Sequence, residues 1–231
     1  MRAAVLILAA LLVSACAATP VGEKRWLVPI PASASANGPR APMIVWISGD
    51  GGWGKMEREV TRRFEARGAP TLGVDSLRYF AEARDPEIAA NEIAAHITAY
   101  AARWDRDRIV IAGFSFGANA GPFIIRALPL QVRQRVVLAA FLAPAQRADF
   151  RVGPASWMGL ELGPSVGPAM AELRPTPILC IATNRAPDGV CPAPDRDGGV
   201  TSLQLGGGHA LNNQYDAIVG LILDNARTPS H

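Results

Sequence analysis

The chain has 231 residues, 49% of them hydrophobic and 19% charged, with a formal net charge of +3. That length and apolar content suit one ordered domain of α/β size with a buried core, and they exclude a disordered or low-complexity chain. Basic residues are interleaved with acids, so the small positive charge gives no nucleic-acid-binding signal.

The amino terminus reads as an export signal. Arg2 gives a short basic start, Ala3 to Val13 an apolar run too short for a stable membrane anchor, and Ser14-Ala15 a small-residue exit. Val13-Ser14-Ala15-Cys16 also resembles the lipobox of bacterial lipoproteins, which makes Cys16 a lipidation candidate. Ordinary cleavage near Ala17 or Ala18 is the alternative. Residues 1–16 are assigned to the signal, 17–41 to an Ala/Pro/Ser/Gly-rich tether with one early strand near "KRWLVPI", and 42–231 to the domain. Three cysteines are an odd number for an exported chain. If Cys16 carries lipid, Cys180 and Cys191 remain to pair in an oxidising periplasm.

Beyond residue 41, strand-like and helix-like segments alternate. Nearly continuous apolar runs at 43–48, 71–76, 108–115, 136–144, 177–183 and 200–205 suit strands covered on both faces. Between them, Met56, Val60 and Phe64 recur at helical spacing. Asp85 and Pro86 then open a helix with Ala89, Ile93, Ile97, Tyr100 and Trp104 on one stripe. A last helix is expected from about Gln214 to Asn225. The alternation predicts an α/β fold, a mostly parallel sheet with helices on both faces.

The most informative pentapeptide is "GFSFG", residues 113–117. It fits G-x-S-x-G, follows the strand "RIVIA" and precedes the helix-capable "ANAGPFIIRAL", the context of the nucleophile elbow in an α/β-hydrolase fold. Ser115 is the nucleophile candidate, and it needs a base. Of three histidines, His231 ends the chain and His96 lies inside a helix as a surface or packing residue. His209, in "LQLGGGHALNN" after the last strand, is the base candidate. The orienting acid belongs between them in the chain, beyond the strand "PILCIAT". Asp188 is the first carboxylate there, bracketed by Cys180 and Cys191, with Asp195 and Asp197 as competitors. This chemistry needs no metal and no cofactor.

The stretch "GDGGWGK" (49–55) has the spacing of a phosphate-binding P-loop, but Met56 stands where that motif needs Ser or Thr. An early glycine-rich loop in a hydrolase instead supplies a backbone N–H to the oxyanion hole. Backbone amides around Asp50 and Gly51, together with that of Phe116, are the candidates.

These motifs resemble those of the VirJ family, exported proteins that also match the C-terminal domain of AcvB. The resemblance is carried by "SGDGGW" (48–53), "GVDSLRYF" (73–80) with "DPE" (85–87), "GFSFGAN" (113–119), "ADF" (148–150), the two later cysteines and "GGGHALNNQY" (206–215). It covers about residue 42 to the end. Where family members often show two adjacent histidines, this chain has His209-Ala210. The resemblance implies a serine esterase that releases lysine from aminoacylated phosphatidylglycerol, with Ser115 as nucleophile, His209 as base and Asp188 as acid. It also implies links to virulence and to type IV secretion proteins. A cationic aminoacyl group would suit an acidic neighbour, Asp50 or Asp75, unless each merely orients its own loop. Trp157, Met158, Leu160 and Leu162 form either a lid facing membrane lipid or a packing insertion. A non-catalytic escort protein and a generic carboxylesterase or lipase are the competing functional readings.

Overall fold

The computed structural model describes residues 24–33, 41–158, 162–184, 190–195 and 199–227. Cys16, Leu160, Asp188 and Asp197 lie outside them. In chain order the elements are β1 (Leu27–Ile30), β2 (Met43–Ile47), α1 (Lys55–Ala66), β3 (Thr71–Val74), α2 (Ser76–Tyr79), α3 (Pro86–Trp104), β4 (Ile109–Phe114) and α4 (Phe116–Ala127). Then follow α5 (Leu130–Arg133), β5 (Val136–Leu142), α6 (Pro154–Trp157), α7 (Val166–Ala171), β6 (Ile178–Thr183), β7 (Val200–Leu205), a 3₁₀ turn (Leu211–Asn213) and α8 (Tyr215–Asn225).

The seven strands form one sheet in the order β1-β3-β2-β4-β5-β6-β7. Only the β1–β3 pair is antiparallel, and the remaining neighbours run parallel. β2 shows why its apolar run is unbroken. Met43, Val45 and Ile47 project into the core under α3 and α4, while Ile44 and Trp46 project into the core under α1 and α8. Both faces are dry, so alternation of polar and apolar residues has no use there.

Helix signals act where expected. The Asp85 carboxylate accepts the Glu87 N–H at 2.8 Å and Pro86 occupies the first turn of α3. The early strand exists as β1, and Trp26 just before it docks its ring 4.4 Å from that of Tyr79 and 5.2 Å from that of His96.

His96 is therefore a packing residue, buried, with Nδ1 lacking a hydrogen-bond partner among the described residues. Burial pushes its imidazole below the ordinary value, the Lys24 charge adds to this, and Glu92 opposes it. Above about pH 6.5 the ring is neutral in folded and unfolded chains alike and pH has no effect. As pH falls below that, the unfolded chain binds the proton first, so stability is lost down through the depressed folded value. The urea midpoint should fall between about pH 6.5 and 5 in the wild type. In His96→Leu that interval should be flatter, and equal slopes in both proteins would remove the assignment.

Candidate active site

The parallel strands point their carboxyl ends at one rim, where an open α/β sheet places its chemistry. β4 delivers Ser115 there through a turn too tight for side chains. A Cβ on Gly113 would lie 2.2 Å from the Gly117 carbonyl oxygen, and one on Gly117 would lie 2.2 Å from the Ile47 oxygen. Ser115 itself sits at φ 51°, ψ −114°, a strained setting that holds the side chain at the turn apex. Its N–H bonds the Leu142 carbonyl at 2.9 Å, pinning the elbow to the end of β5. Asn119, one turn into α4, accepts the Ala145 N–H at 2.7 Å and fastens the segment that leaves β5.

The last strand brings His209 to the same rim from 94 residues away. His209 Nε2 lies 2.8 Å from Ser115 Oγ. The imidazole is exposed and rests on the Phe114 ring, centroid to centroid 5.3 Å. Gly207 and Gly208, at φ 110° and 69°, give the loop a path that residues with a Cβ rarely take. Two polar side chains brace it, and neither stands out in the sequence. Asn184, at the end of β6, accepts the Gly208 N–H at 3.2 Å, and Gln214 Nε2 donates to the Gly206 carbonyl at 2.8 Å. An amide directly beyond a strand and another beyond the histidine loop were the available signals.

Phe116 opens α4, so its N–H has no intrahelical acceptor and faces the elbow region free of helix bonding. Across from it runs the glycine-rich loop. A Cβ on Gly49 would come 3.6 Å from the Ser115 Cβ, so the loop abuts Ser115. The loop folds on itself through Gly52 N–H to the Gly49 carbonyl at 3.0 Å. No backbone bond among the described residues uses the N–H of Asp50 or Gly51. Such donors near a hydroxyl can hold a developing oxyanion.

The acids divide. Asp195 is tied to Arg174 and accepts the Val200 N–H at 3.1 Å, at the amino end of β7. Partial desolvation opposes its ionisation, yet the Val200 N–H and Arg174 hold the carboxyl below its usual range. The strand then runs six residues, about 17 Å, before the histidine loop begins. Asp195 is therefore removed as a competitor. Asp75 is buried, accepts the Arg78 N–H at 3.3 Å and pairs with Arg78 Nε at 3.5 Å. Of the two roles expected for it, loop orientation holds.

Cys180 of β6 is joined to Cys191 in a disulfide. It closes the 11-residue separation that contains position 188, a closure worth about 3 kcal/mol in the chain-entropy model. Trp157, Met158 and Leu162 are exposed, on the excursion that leaves and rejoins the rim through Arg147 and Ser165.

A family model described as "Bacterial virulence protein (VirJ)" matches residues 41–229. No curated protein matches the sequence significantly. Among solved structures, the chain is similar to the type II thioesterase BorB from the borrelidin biosynthetic cluster, with 20% identity, 90% of this chain and 99% of that chain covered, and a TM-score of 0.56. It is also similar to Est1E from Butyrivibrio proteoclasticus (15%; 87% and 93%; 0.55) and to MenH from S. aureus (10%; 87% and 98%; 0.62). The fold is that of the α/β-hydrolases.

Proposed function

Because the chain belongs to the bacterial virulence protein (VirJ) family, we propose that it is an exported serine esterase that cleaves the aminoacyl ester of aminoacylated phosphatidylglycerol, of the lysyl type. The observation that carries the reading is the 2.8 Å contact between His209 Nε2 and Ser115 Oγ, made at a strained elbow beside unused backbone N–H groups.

In this reading His209 takes the Ser115 proton as Oγ attacks the ester carbonyl. The carbonyl oxygen, now an anion, is held by the Phe116 N–H and by an amide of the Asp50–Gly51 segment. The tetrahedral intermediate collapses, and His209 passes its proton to the departing glycerol oxygen. Water, deprotonated by the same imidazole, then attacks the aminoacyl-Ser115 ester and frees the amino acid. Asp188 is the proposed partner of the imidazole's other nitrogen, in the role of the triad acid. The disulfide favours an oxidising compartment and so supports a periplasmic location. Anchoring through lipid on Cys16, contact of the exposed Trp157, Met158 and Leu162 with the membrane, and association with secretion proteins belong to the same proposal.

The test is incubation of purified protein with lysyl-phosphatidylglycerol in mixed micelles beside Ser115→Ala. Free lysine should appear with the wild type and fall to background with the variant. Release of fatty acid in place of lysine would point to a generic lipase. Equal lipid loss in both proteins would end the serine mechanism, and no covalent labelling of Ser115 by a fluorophosphonate would favour an escort role.

A further inference from the structure

Two of the sequence motifs, "SGDGGW" and "GVDSLRYF", meet in the interior through one serine each. Ser48 directly follows β2, Ser76 opens α2, and both are buried. The Ser76 hydroxyl donates to the Ser48 carbonyl at 2.7 Å. The Ser76 N–H donates to Ser48 Oγ at 2.9 Å, so Oγ uses a lone pair there and keeps its own proton. That proton goes to the Gly49 carbonyl, 3.1 Å away. β2 and β3 are already joined at this level by the Ser48 N–H, which bonds the Val74 carbonyl at 3.0 Å. The side-chain bonds therefore reach past the sheet and into the glycine loop.

The Gly49 carbonyl receives a second donor, the Gly52 N–H at 3.0 Å. In a trans peptide the C=O and N–H point to opposite sides of one rigid plane. Two bonds on the Gly49 oxygen thus fix the direction of the Asp50 N–H, which has no partner among the described residues. The next peptide has no such hold. Neither the Asp50 carbonyl nor the Gly51 N–H is bonded among the described residues, and a Cβ on Gly51 would meet no atom within 4 Å. A Cβ on Gly49, by contrast, would meet Phe114 at 3.3 Å and Ser115 at 3.6 Å. Ser48 also faces the elbow, since its carbonyl oxygen lies 2.8 Å from where a Cβ on Gly117 would stand. One residue therefore spaces the loop from the amino end of α4. The far end of the loop is closed separately, by the capping box in which the buried Glu57 carboxylate accepts the Gly54 N–H at 2.9 Å.

We propose that Ser48, held by Ser76, is a positioning residue for the oxyanion hole, and that the Asp50 N–H, rather than that of Gly51, is the second donor beside Phe116. This assignment rests on the esterase reading and narrows it. A donor aimed before the charge develops needs no reorientation during the reaction, which is how such a site gains its effect. Hydrogen bonds in series also polarise one another, so the run from Ser76 through Ser48 to Gly49 strengthens the Asp50 N–H as a donor. Without the Ser48 hydroxyl, the Gly49 carbonyl keeps only the Gly52 bond, which lies inside the loop and moves with it.

The experiment uses the full chain labelled with ¹⁵N and a soluble alkyl trifluoromethyl ketone. Ser115 Oγ adds to the ketone carbon, its proton passes to His209, and the carbonyl electron pair moves onto oxygen to give an alkoxide. The amide protons of Asp50 and Phe116 should move downfield in this adduct, and that of Gly51 should not. Ser48→Ala should shrink the Asp50 displacement. On a soluble chromogenic ester it should lower kcat roughly 10- to 100-fold with KM within about twofold, less than outright loss of a donor. Ser76→Ala leaves the Ser48 hydroxyl bonded to the Ser76 N–H and should lower kcat less than Ser48→Ala does. Displacement of Gly51 in place of Asp50 overturns the assignment, and the wild type alone shows it even if neither variant folds. A Ser48→Ala protein that melts earlier but keeps wild-type kcat overturns it too, as does a larger kcat loss in Ser76→Ala. With Ser115-dependent turnover intact, those results leave the esterase reading standing. Absence of both adduct and Ser115-dependent turnover removes that reading, and the donor assignment falls with it.

Discussion

Changing His209 to alanine is expected to lower kcat for ester hydrolysis by roughly 10⁴- to 10⁶-fold, the scale of losing the base from a nucleophile–base pair. The imidazole is exposed, so its loss should change stability by less than about 1 kcal/mol, and the melting curve should barely move. The size follows from the 2.8 Å contact with Ser115 Oγ. A neutral serine hydroxyl is a weak nucleophile, and no other histidine among the described residues reaches it. His96, buried under Trp26, cannot substitute. Steady-state kinetics on a soluble ester, with thermal melts alongside, decide the matter. Retention of more than a tenth of wild-type kcat would remove His209 as the base.

Gly117→Ala should damage fold and site together. The added methyl would lie 2.2 Å from the Ile47 oxygen, 2.7 Å from its carbonyl carbon and 2.8 Å from the Ser48 oxygen. All three are backbone atoms at the end of the interior strand β2, and they cannot swing aside as a side chain would. The amino end of α4 must back away, taking the Phe116 N–H and Ser115 with it. Overpacking of this kind costs about 3 kcal/mol, which for a chain of this size lowers the melting temperature by roughly 6–12 °C. Activity should fall further than that loss of stability explains, because the elbow and the glycine loop would lose register. An alanine variant with both wild-type melting behaviour and wild-type kcat would contradict the close packing described above. Gly121→Ala is the internal comparison. Its methyl would meet only the Phe141 ring, at 3.0 Å, and a ring edge can yield.

The parts of this protein that were legible in advance are those written in local chemistry. Strand runs could be read because both faces of a parallel sheet are dry, as Met43 to Ile47 show. The start of α3 could be read because Asp85 and Pro86 satisfy a helix end by themselves. The elbow that holds Ser115 could be read because strand, tight turn and helix all lie within a few residues, and the two glycines are needed for the turn to close. Other features left no such trace. Asp195 has the spacing of a triad acid, yet it belongs to the far end of β7 because Arg174 and the Val200 N–H claim it. Glu57 reads as one more charge on an amphipathic helix, and its burial depends on where the β2 loop and the β3–α2 junction meet.

Sequence alone was enough for the class of fold, the tight strand-to-helix turn at Ser115 and the family likeness, since these rest on patterns whose meaning is contained in short stretches of chain. Tertiary structure decided which side chains meet. It set His209 against Ser115, joined Cys180 to Cys191, sent Asp195 away from the site and sealed Glu57 beneath the glycine loop. The reason is physical. Spacing along a chain says little about distance once strands from opposite ends of the sequence share one sheet, and the charge state of a carboxyl is set by the water it has lost and the N–H groups it has gained, both of which come from remote residues.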